Sequence, residues 1–521
     1  MEQTPGERSD RRRLFHARSV GLWLGIAAFA LLLLLPVAPD NPPASRLAAV
    51  AALMAIWWMS EAIPLFATAL MPLVLFPLLG IMPGRETAPI YLNSTIVLFI
   101  GGFMIALTMQ KWNLHRRMAL DIIHRVGGGP ARLVLGFMTA AAFLSMWVSN
   151  TATAVMMVPI GLAIVLQVES RAGDAAHPLS VGLMLGIAYG CSVGGMTTLV
   201  GTPPNLSFVR IHEILFPDAP VIAFGQWMVV AFPVGVVMLL AAWLLITQVM
   251  YRAPSDLRID PATVADERAR LGPVSFEERT VLTVFAITAL LWVFRVDLDL
   301  GGIHVPGWSD LLPWPGLVDD GTVAIAMASL LFFIPAKNRE EGSTRIMGPE
   351  IIPRLPWNIV LLIGGGFALA SAFQQTGLAQ LIGSQFDAAA ALPTFALILL
   401  VCLALTFLTE LTSNTATTEM ILPILASVAV APGTHPLILM IPATMSASCA
   451  FMMPVATPPN SIVFGSNRIS IPEMARAGIV LNLFGALVIA SIVYTLGLVV
   501  FDIDPSEVPA WATSLAAGGG H

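Results

Sequence analysis

Apolar residues run in long blocks along this chain, and polar residues gather between them. Blocks such as GLWLGIAAFALLLLLPVA (Gly21–Ala38) and VLNLFGALVIASIVYTLGLVVF (Val480–Phe501) are near or above the roughly 20 residues a helix needs to cross a bilayer. They predict spans at about 20–38, 47–60, 62–81, 92–110, 181–212, 222–250, 280–296, 321–336, 356–375, 436–467 and 477–501. Two further blocks, 131–168 and 391–430, carry a polar break at mid-length: SNTAT at Ser149 and again at Ser413. Each reads as two crossing helices, or as a re-entrant hairpin with the break at its tip. The period-two alternation of a membrane β-barrel is absent.

Charge separates the two readings. With hairpins and a cytoplasmic N-terminus, segments 1–19, 111–132, 169–180, 251–280, 336–355 and 467–476 share one side and hold 22 of the 26 Lys and Arg residues, the positive-inside pattern. The other side receives mainly acids, among them Asp297, Asp299, Asp310, Asp319, Asp320, Asp502 and Asp504. Hairpins are therefore expected. The fold class is all-α and polytopic, with about 11 transmembrane helices plus two re-entrant hairpins. The N-terminus is expected in the cytoplasm and the C-terminus outside a cell membrane.

Composition adds little beyond class. The chain of 521 residues is 57% hydrophobic and 11% charged, against roughly 25% charged in soluble domains. The net charge of −6 comes with no basic stripe, so no nucleic-acid partner is expected. Cys191, Cys402 and Cys449 lie in apolar segments without metal-ligand spacing and read as buried hydrophobes. The first apolar run lacks a small-residue cleavage site and reads as an uncleaved helix.

The two halves repeat. IGGFMIAL at Ile100 aligns with GGGFALAS at Gly364, placing Phe103 against Phe367, and each Phe precedes its SNT serine by 46 residues. VGTPPN (Val200–Asn205) and VATPPN (Val455–Asn460) follow in turn. An odd number of spans between equivalent positions makes the repeats inverted, an architecture of transporters. The organisation read from this is a cytoplasmic N-terminal segment 1–19; a first helix and first repeat over 20–250, with a cytoplasmic-side hairpin 131–168; and a cytoplasmic linker 251–279. A second inverted repeat follows over 280–501, with an outer-side hairpin 391–430, and then an outer tail 502–521 whose end, SLAAGGGH, is expected to be disordered.

A helix broken inside hydrocarbon must line protein or water. Each SNT supplies two hydroxyls and a carboxamide at its break. One turn earlier stand Ser145, before Ser149, and Thr409, before Ser413, on the same helix face. With carbonyls from the unwound end this makes an all-oxygen cation site. The exit half-helices start near Thr151 and Thr415, and their positive N-termini suit an anion. In the TPPN motifs Pro203 and Pro458 open the backbone, and Thr202 and Thr457 add hydroxyls. Neither the SNT nor the TPPN segments carry a Lys or Arg, so an anionic cargo needs bound cations as its countercharge, and symport follows as an expectation.

These paired motifs, with WWMSEAIPLFATALMPL at Trp57 and ASCAFMMPVATPPNSIVF at Ala447, make the chain resemble the divalent anion:sodium symporters, the sodium–dicarboxylate/sulfate cotransporters. The resemblance covers Leu47 to Phe501. It implies a homodimer whose fixed scaffold carries an elevator-like transport domain. It also implies sodium (Na+) as coupling ion at two sites. Ser145, Ser149, Asn150 and the Gly201 backbone form one; Thr409, Ser413, Asn414 and the backbone of Ala456 and Pro458 form the other. Asn150, Thr151, Asn414, Thr415 and Thr457 are implied to hold substrate carboxylates. Ser149, Ser413 and Thr202 complete the candidate substrate set. Gly201 corresponds to Ala456, and Met146 to Glu410, so the two cation sites need not be equivalent.

The reading is a secondary active transporter for sodium-coupled uptake of a small divalent anion, with a C4-dicarboxylate such as succinate as best guess. Sulfate or citrate also fits. A sodium-independent dicarboxylate exchanger is the runner-up, but a fixed basic side chain is expected there in place of a sodium. Proton coupling through Glu410 is a third possibility. Glu61, Glu410 and Glu419 are intramembrane acids, and satisfying local backbone donors is the simpler role for each. The basic run His115–Arg125 reads as an amphipathic interfacial helix that meets anionic membrane lipid. An intramembrane enzyme is not expected: the eight His residues fall near membrane faces or outside, and no HExxH occurs.

Overall fold

A computed structural model describes residues 5–254, 257, 262–299, 304–338, 344–385 and 392–513. The tail expected to be disordered lies outside the described residues. Helices build the fold, with one short antiparallel ribbon pairing Leu298 with Val305 and Asp299 with His304. Among the described residues, five helical runs are long and apolar enough to cross a bilayer: Gly84–Lys111, Asn150–Gly195, Phe224–Met250, Trp357–Thr376 and Ile471–Val500. Their outward faces are apolar at helical spacing, with Phe232, Val236, Leu240 and Leu244 exposed on one and Ile479, Leu483 and Leu487 on another. Water would not tolerate such stripes, and lipid does. The chain is a polytopic helical membrane protein.

Several predicted spans are not continuous helices, and proline is the usual reason. The span expected at 62–81 is two short helices, Leu65–Thr68 and Met71–Leu79. Pro64 precedes the first and Pro72 opens the second, while Glu61 ends Pro42–Ser60 in a left-handed conformation at φ 47°. The spans expected at 181–212 and 436–467 divide at their polar segments. The first becomes His177–Gly195 and Pro203–Leu215, the second Leu437–Ser446 and Pro458–Phe464. The first helix runs Pro5–Leu34 instead of 20–38, with Pro36 just beyond its end.

The linker is structured where it is described. Helix Ala262–Arg270 lies on helix Leu114–Val126. Arg116 pairs with Glu267, and Arg268 reaches Asp121 at 2.6 Å. Arg117 Nε donates to Glu278 at 2.7 Å, and its other nitrogens reach the carbonyls of Leu271 and Gly272. Three of the charged residues of this basic helix thus face the linker, and His124 and Arg125 stay exposed. Nearby, Glu277 accepts from the N–H groups of Lys337 and Asn338 at 2.7 and 2.8 Å. Burial works against its charge, yet these bonds and the Ser275 hydroxyl hold the carboxyl below its ordinary value.

Close packing of the first hairpin depends on a glycine stripe. Gly182, Gly186, Gly190 and Gly194 recur at four-residue spacing on His177–Gly195 and face Pro130–Ser145. A Cβ on Gly190 would stand 2.7 Å from the Met138 carbonyl, and one on Gly194 2.1 Å from that of Ala142. Small residues at this spacing let helix backbones touch in membranes. Gly194→Ala is expected to lower the thermal stability of the purified protein by about 1–3 kcal/mol through overpacking. Gly316→Ala, where nothing lies within 4 Å, is the silent control in the same melting experiment.

Candidate functional site

The two SNT segments sit at hairpin tips built to one plan. The first hairpin enters along Pro130–Ser145 and leaves along Asn150–Ala172; the second enters along Thr394–Thr409 and leaves along Asn414–Val430. Ser149 caps the first exit helix, its Oγ accepting from Ala152 N at 3.2 Å, and Ser413 accepts from Ala416 N at 3.5 Å. Capping explains why a serine ends each turn: the first N–H groups of a helix need an acceptor.

Inside each tip a hydroxyl meets a carboxamide. Ser145 Oγ donates to Asn150 Oδ1, and Thr409 Oγ1 donates to Asn414 Oδ1 at 2.6 Å. Thr409 also reaches the Ala447 carbonyl at 2.9 Å. Both asparagines are half-buried, while Thr151 is exposed and Thr415 buried. Gly195 makes room for Asn150, since a Cβ there would lie 2.4 Å from Oδ1, and a Cβ on Gly201 would lie 2.4 Å from the Gly195 carbonyl. Asn150, Gly195 and Gly201 are thus stacked in direct contact. Among the described residues Asn414 makes no hydrogen bond to Ala456 or Pro458.

The asparagine of each TPPN holds the opened backbone, a role not read from the sequence. Asn205 Nδ2 donates to the carbonyls of Gly195, Met196 and Thr198 at 3.3, 3.2 and 2.7 Å. Asn460 Nδ2 donates to the carbonyls of Ala450 and Met453 at 3.1 and 3.0 Å. Each is fully buried. The available signal was the recurrence of Asn directly after a doubled proline. Thr457 Oγ1 caps the second half-helix by accepting from Asn460 N at 3.3 Å, whereas Thr202 makes no such bond. Pro458 and Pro203 open these half-helices, where a missing N–H costs nothing.

Glu410 now has a definite place. The unwound stretch is longer in the second half, 447–457 against 196–202, so more N–H groups need acceptors. Glu410 supplies them, accepting from Phe451 N, Met452 N and Met453 N at 2.7, 2.8 and 3.0 Å and from Asn482 Nδ2 at 2.7 Å. In the first half a turn bond from Thr197 N to the Gly194 carbonyl serves instead, and Thr198 Oγ1 donates to the Met146 carbonyl. Glu61 is different again: it forms an exposed ion pair with Arg18 at 3.1 Å.

The halves interlock at these motifs. Pro458–Phe464 packs on the first exit helix Asn150–Ala172, and Pro203–Leu215 packs on the second exit helix Asn414–Val430. Each half's TPPN helix therefore lies beside the other half's SNT helix. Residues 133–170, 172–209 and 355–467 contain no Lys or Arg.

Comparison with known proteins gives the family. The family model described as "Sodium:sulfate symporter transmembrane region" matches residues 16–503. A sodium-dependent dicarboxylate transporter SdcS of Staphylococcus saprophyticus is 40% identical over 498 residues, 94% of this chain and 93% of that one. Its Staphylococcus aureus counterpart is 40% identical over 512 residues, 96% and 95% of the two chains. Two solved transporters share the fold at low identity. They are YdaH of Alcanivorax borkumensis (TM-score 0.51, 15% identity, 79% of this chain and 86% of that one) and MtrF of Neisseria gonorrhoeae (0.52, 14%, 82% and 86%). On a family match running almost from end to end, the chain belongs to the sodium:sulfate symporter family of membrane transporters.

Proposed function

We propose that this protein takes up a small divalent anion together with sodium, with a C4-dicarboxylate such as succinate as cargo. The observation that carries the reading is the pair of hydroxyl–carboxamide tips, Ser145–Asn150 and Thr409–Asn414, in a region without a basic side chain. Clustered neutral oxygens suit a hard cation, and the cation then supplies the charge that an anion needs. The names of the 40% identical relatives support both sodium and dicarboxylate.

In this reading Ser145, Ser149, Asn150 and the Gly201 backbone hold one sodium. Thr409, Ser413, Asn414 and the backbone of Ala456 and Pro458 hold the other. The SNT residues with Thr202 and Thr457 face the two carboxylates. The repeats are inverted, so the tips approach from opposite sides of the membrane. The hairpins and broken helices move as one body over a fixed scaffold within a homodimer, with the N-terminus in the cytoplasm and lipid around the apolar faces. Motion of that kind suits the observed interlock, because each half grips the other at the site.

Liposome uptake tests this. Succinate, citrate and sulfate are offered under gradients of sodium, lithium, potassium or protons. Succinate accumulation that requires sodium is the expected result. Accumulation indifferent to sodium refutes the coupling, and preference for sulfate, which the family description favours, changes the cargo.

A further inference from the structure

Glu419 is a buried carboxyl that neither the cation sites nor the substrate set uses. It lies on the second exit helix, one turn beyond Thr415, and is 0% exposed. Ser207 Oγ donates to its Oε1, while Oε2 has no partner. Ser207 belongs to the first half's Pro203–Leu215, so this bond crosses between the halves. The remaining wall is Trp357–Thr376: a Cβ on Gly366 would stand 2.0 Å from Oε2 and 2.2 Å from Cδ. That helix's own backbone closes the carboxyl in and leaves no space on that side for a metal ion.

No countercharge faces it. On Pro203–Leu215 the ionisable groups are Arg210, His212 and Glu213, and Arg210 donates to Glu213 at 2.9 Å. Pro42–Ser60 contributes only Arg46, which bonds the Leu79 carbonyl. Trp357–Thr376, Leu378–Gly383, Thr394–Thr409 and Leu437–Ser446 carry no charged residue. A carboxylate so enclosed, with one hydroxyl donor, is costly by several kcal/mol, and a neutral acid is not. The matching first-half position, Val155, is 56% exposed, so the feature belongs to one half.

We propose that Glu419 is a proton site on the surface where the second hairpin bears on Trp357–Thr376, occupied while that surface is closed as seen here. It rests on the transporter reading for its consequence: the closed surface is favoured at low pH and lost as pH rises and the proton leaves. Transport is thereby tied to pH through a group other than the cargo.

Two measurements decide it. The infrared spectrum of the purified protein at neutral pH should contain a protonated-carboxyl band that Glu419→Gln removes. Ser207→Ala, which deletes the hydrogen bond to that carboxyl, should move the same band to higher frequency. This readout needs no substrate and stands even if the cargo is wrong. Absence of the band, or a band indifferent to both substitutions, overturns the proposal. In liposomes between about pH 7 and pH 9, where ordinary carboxylates are fully ionised, sodium-driven uptake should fall with rising pH at constant KM. Glu419→Gln should flatten that profile, and a variant that follows the wild-type limb overturns the link to transport. If the wild type takes up no succinate while the band is present, the transporter's cargo is wrong and the proton site holds.

Discussion

Asn150→Ala and Asn414→Ala are each expected to reduce succinate uptake by about 100-fold or more, the scale of losing a polar ligand that a site is built around. The purified variants should still elute as folded protein, because both side chains are half-buried and each makes its side-chain hydrogen bond within its own tip. Each carboxamide accepts a hydroxyl across the tip, from Ser145 in one half and Thr409 in the other. Removing it takes away one oxygen and turns the hydroxyl elsewhere. The two cases differ in detail. Thr409 retains the Ala447 carbonyl at 2.9 Å, so the second tip should keep its shape better than the first. Sodium dependence of the residual uptake is the measurement that resolves this, with the larger loss of sodium affinity expected for Asn150→Ala. Near-normal uptake by both variants would end the assignment of the tips as the site.

Glu410→Ala is expected to destabilise the protein itself. The substitution strands the N–H of buried Phe451, those of half-buried Met452 and Met453, and buried Asn482 Nδ2. An unsatisfied buried donor costs about 1–3 kcal/mol, and the four act on one short stretch, so the sum is not simply additive. Thermal melting of the purified protein should drop sharply, and uptake should fall with it, because the loosened segment leads directly into Thr457. Glu410→Gln retains one acceptor oxygen and should recover part of both. Met146→Ala, at the equivalent first-half position, should change stability far less, since there the contact is a backbone carbonyl receiving Thr198. Wild-type melting of Glu410→Ala would remove this role and return proton coupling through Glu410 to consideration.

These expectations show where sequence reading reaches. Class and paired motifs were legible because they are local: apolar block length, a polar break at mid-block, proline before a half-helix. Recurrence at matched spacing, 46 residues from Phe103 to Ser149 and from Phe367 to Ser413, separated signal from chance. Element bounds failed where proline acted inside an apolar run, as at 62–81, since hydropathy counts Pro64 and Pro72 as part of a block while each marks the start of a new short helix. The linker partners of His115–Arg125 escaped the sequence for another reason. A basic face looks the same from sequence whether lipid or the acids of a linker 150 residues away neutralise it.

By itself the sequence determined that this is a helical membrane protein with two polar tips and two opened helices, because bilayer length and proline geometry leave few alternatives. Tertiary structure alone decided which segment meets which. It set the Pro203 helix beside the second exit helix and the Pro458 helix beside the first, put Asn205 and Asn460 on the opened carbonyls, and closed Gly366 over Glu419. Apolar helices advertise no partner in their composition. Their neighbours follow from where glycine permits backbone contact and where a buried donor finds its acceptor, and both are properties of the packed whole.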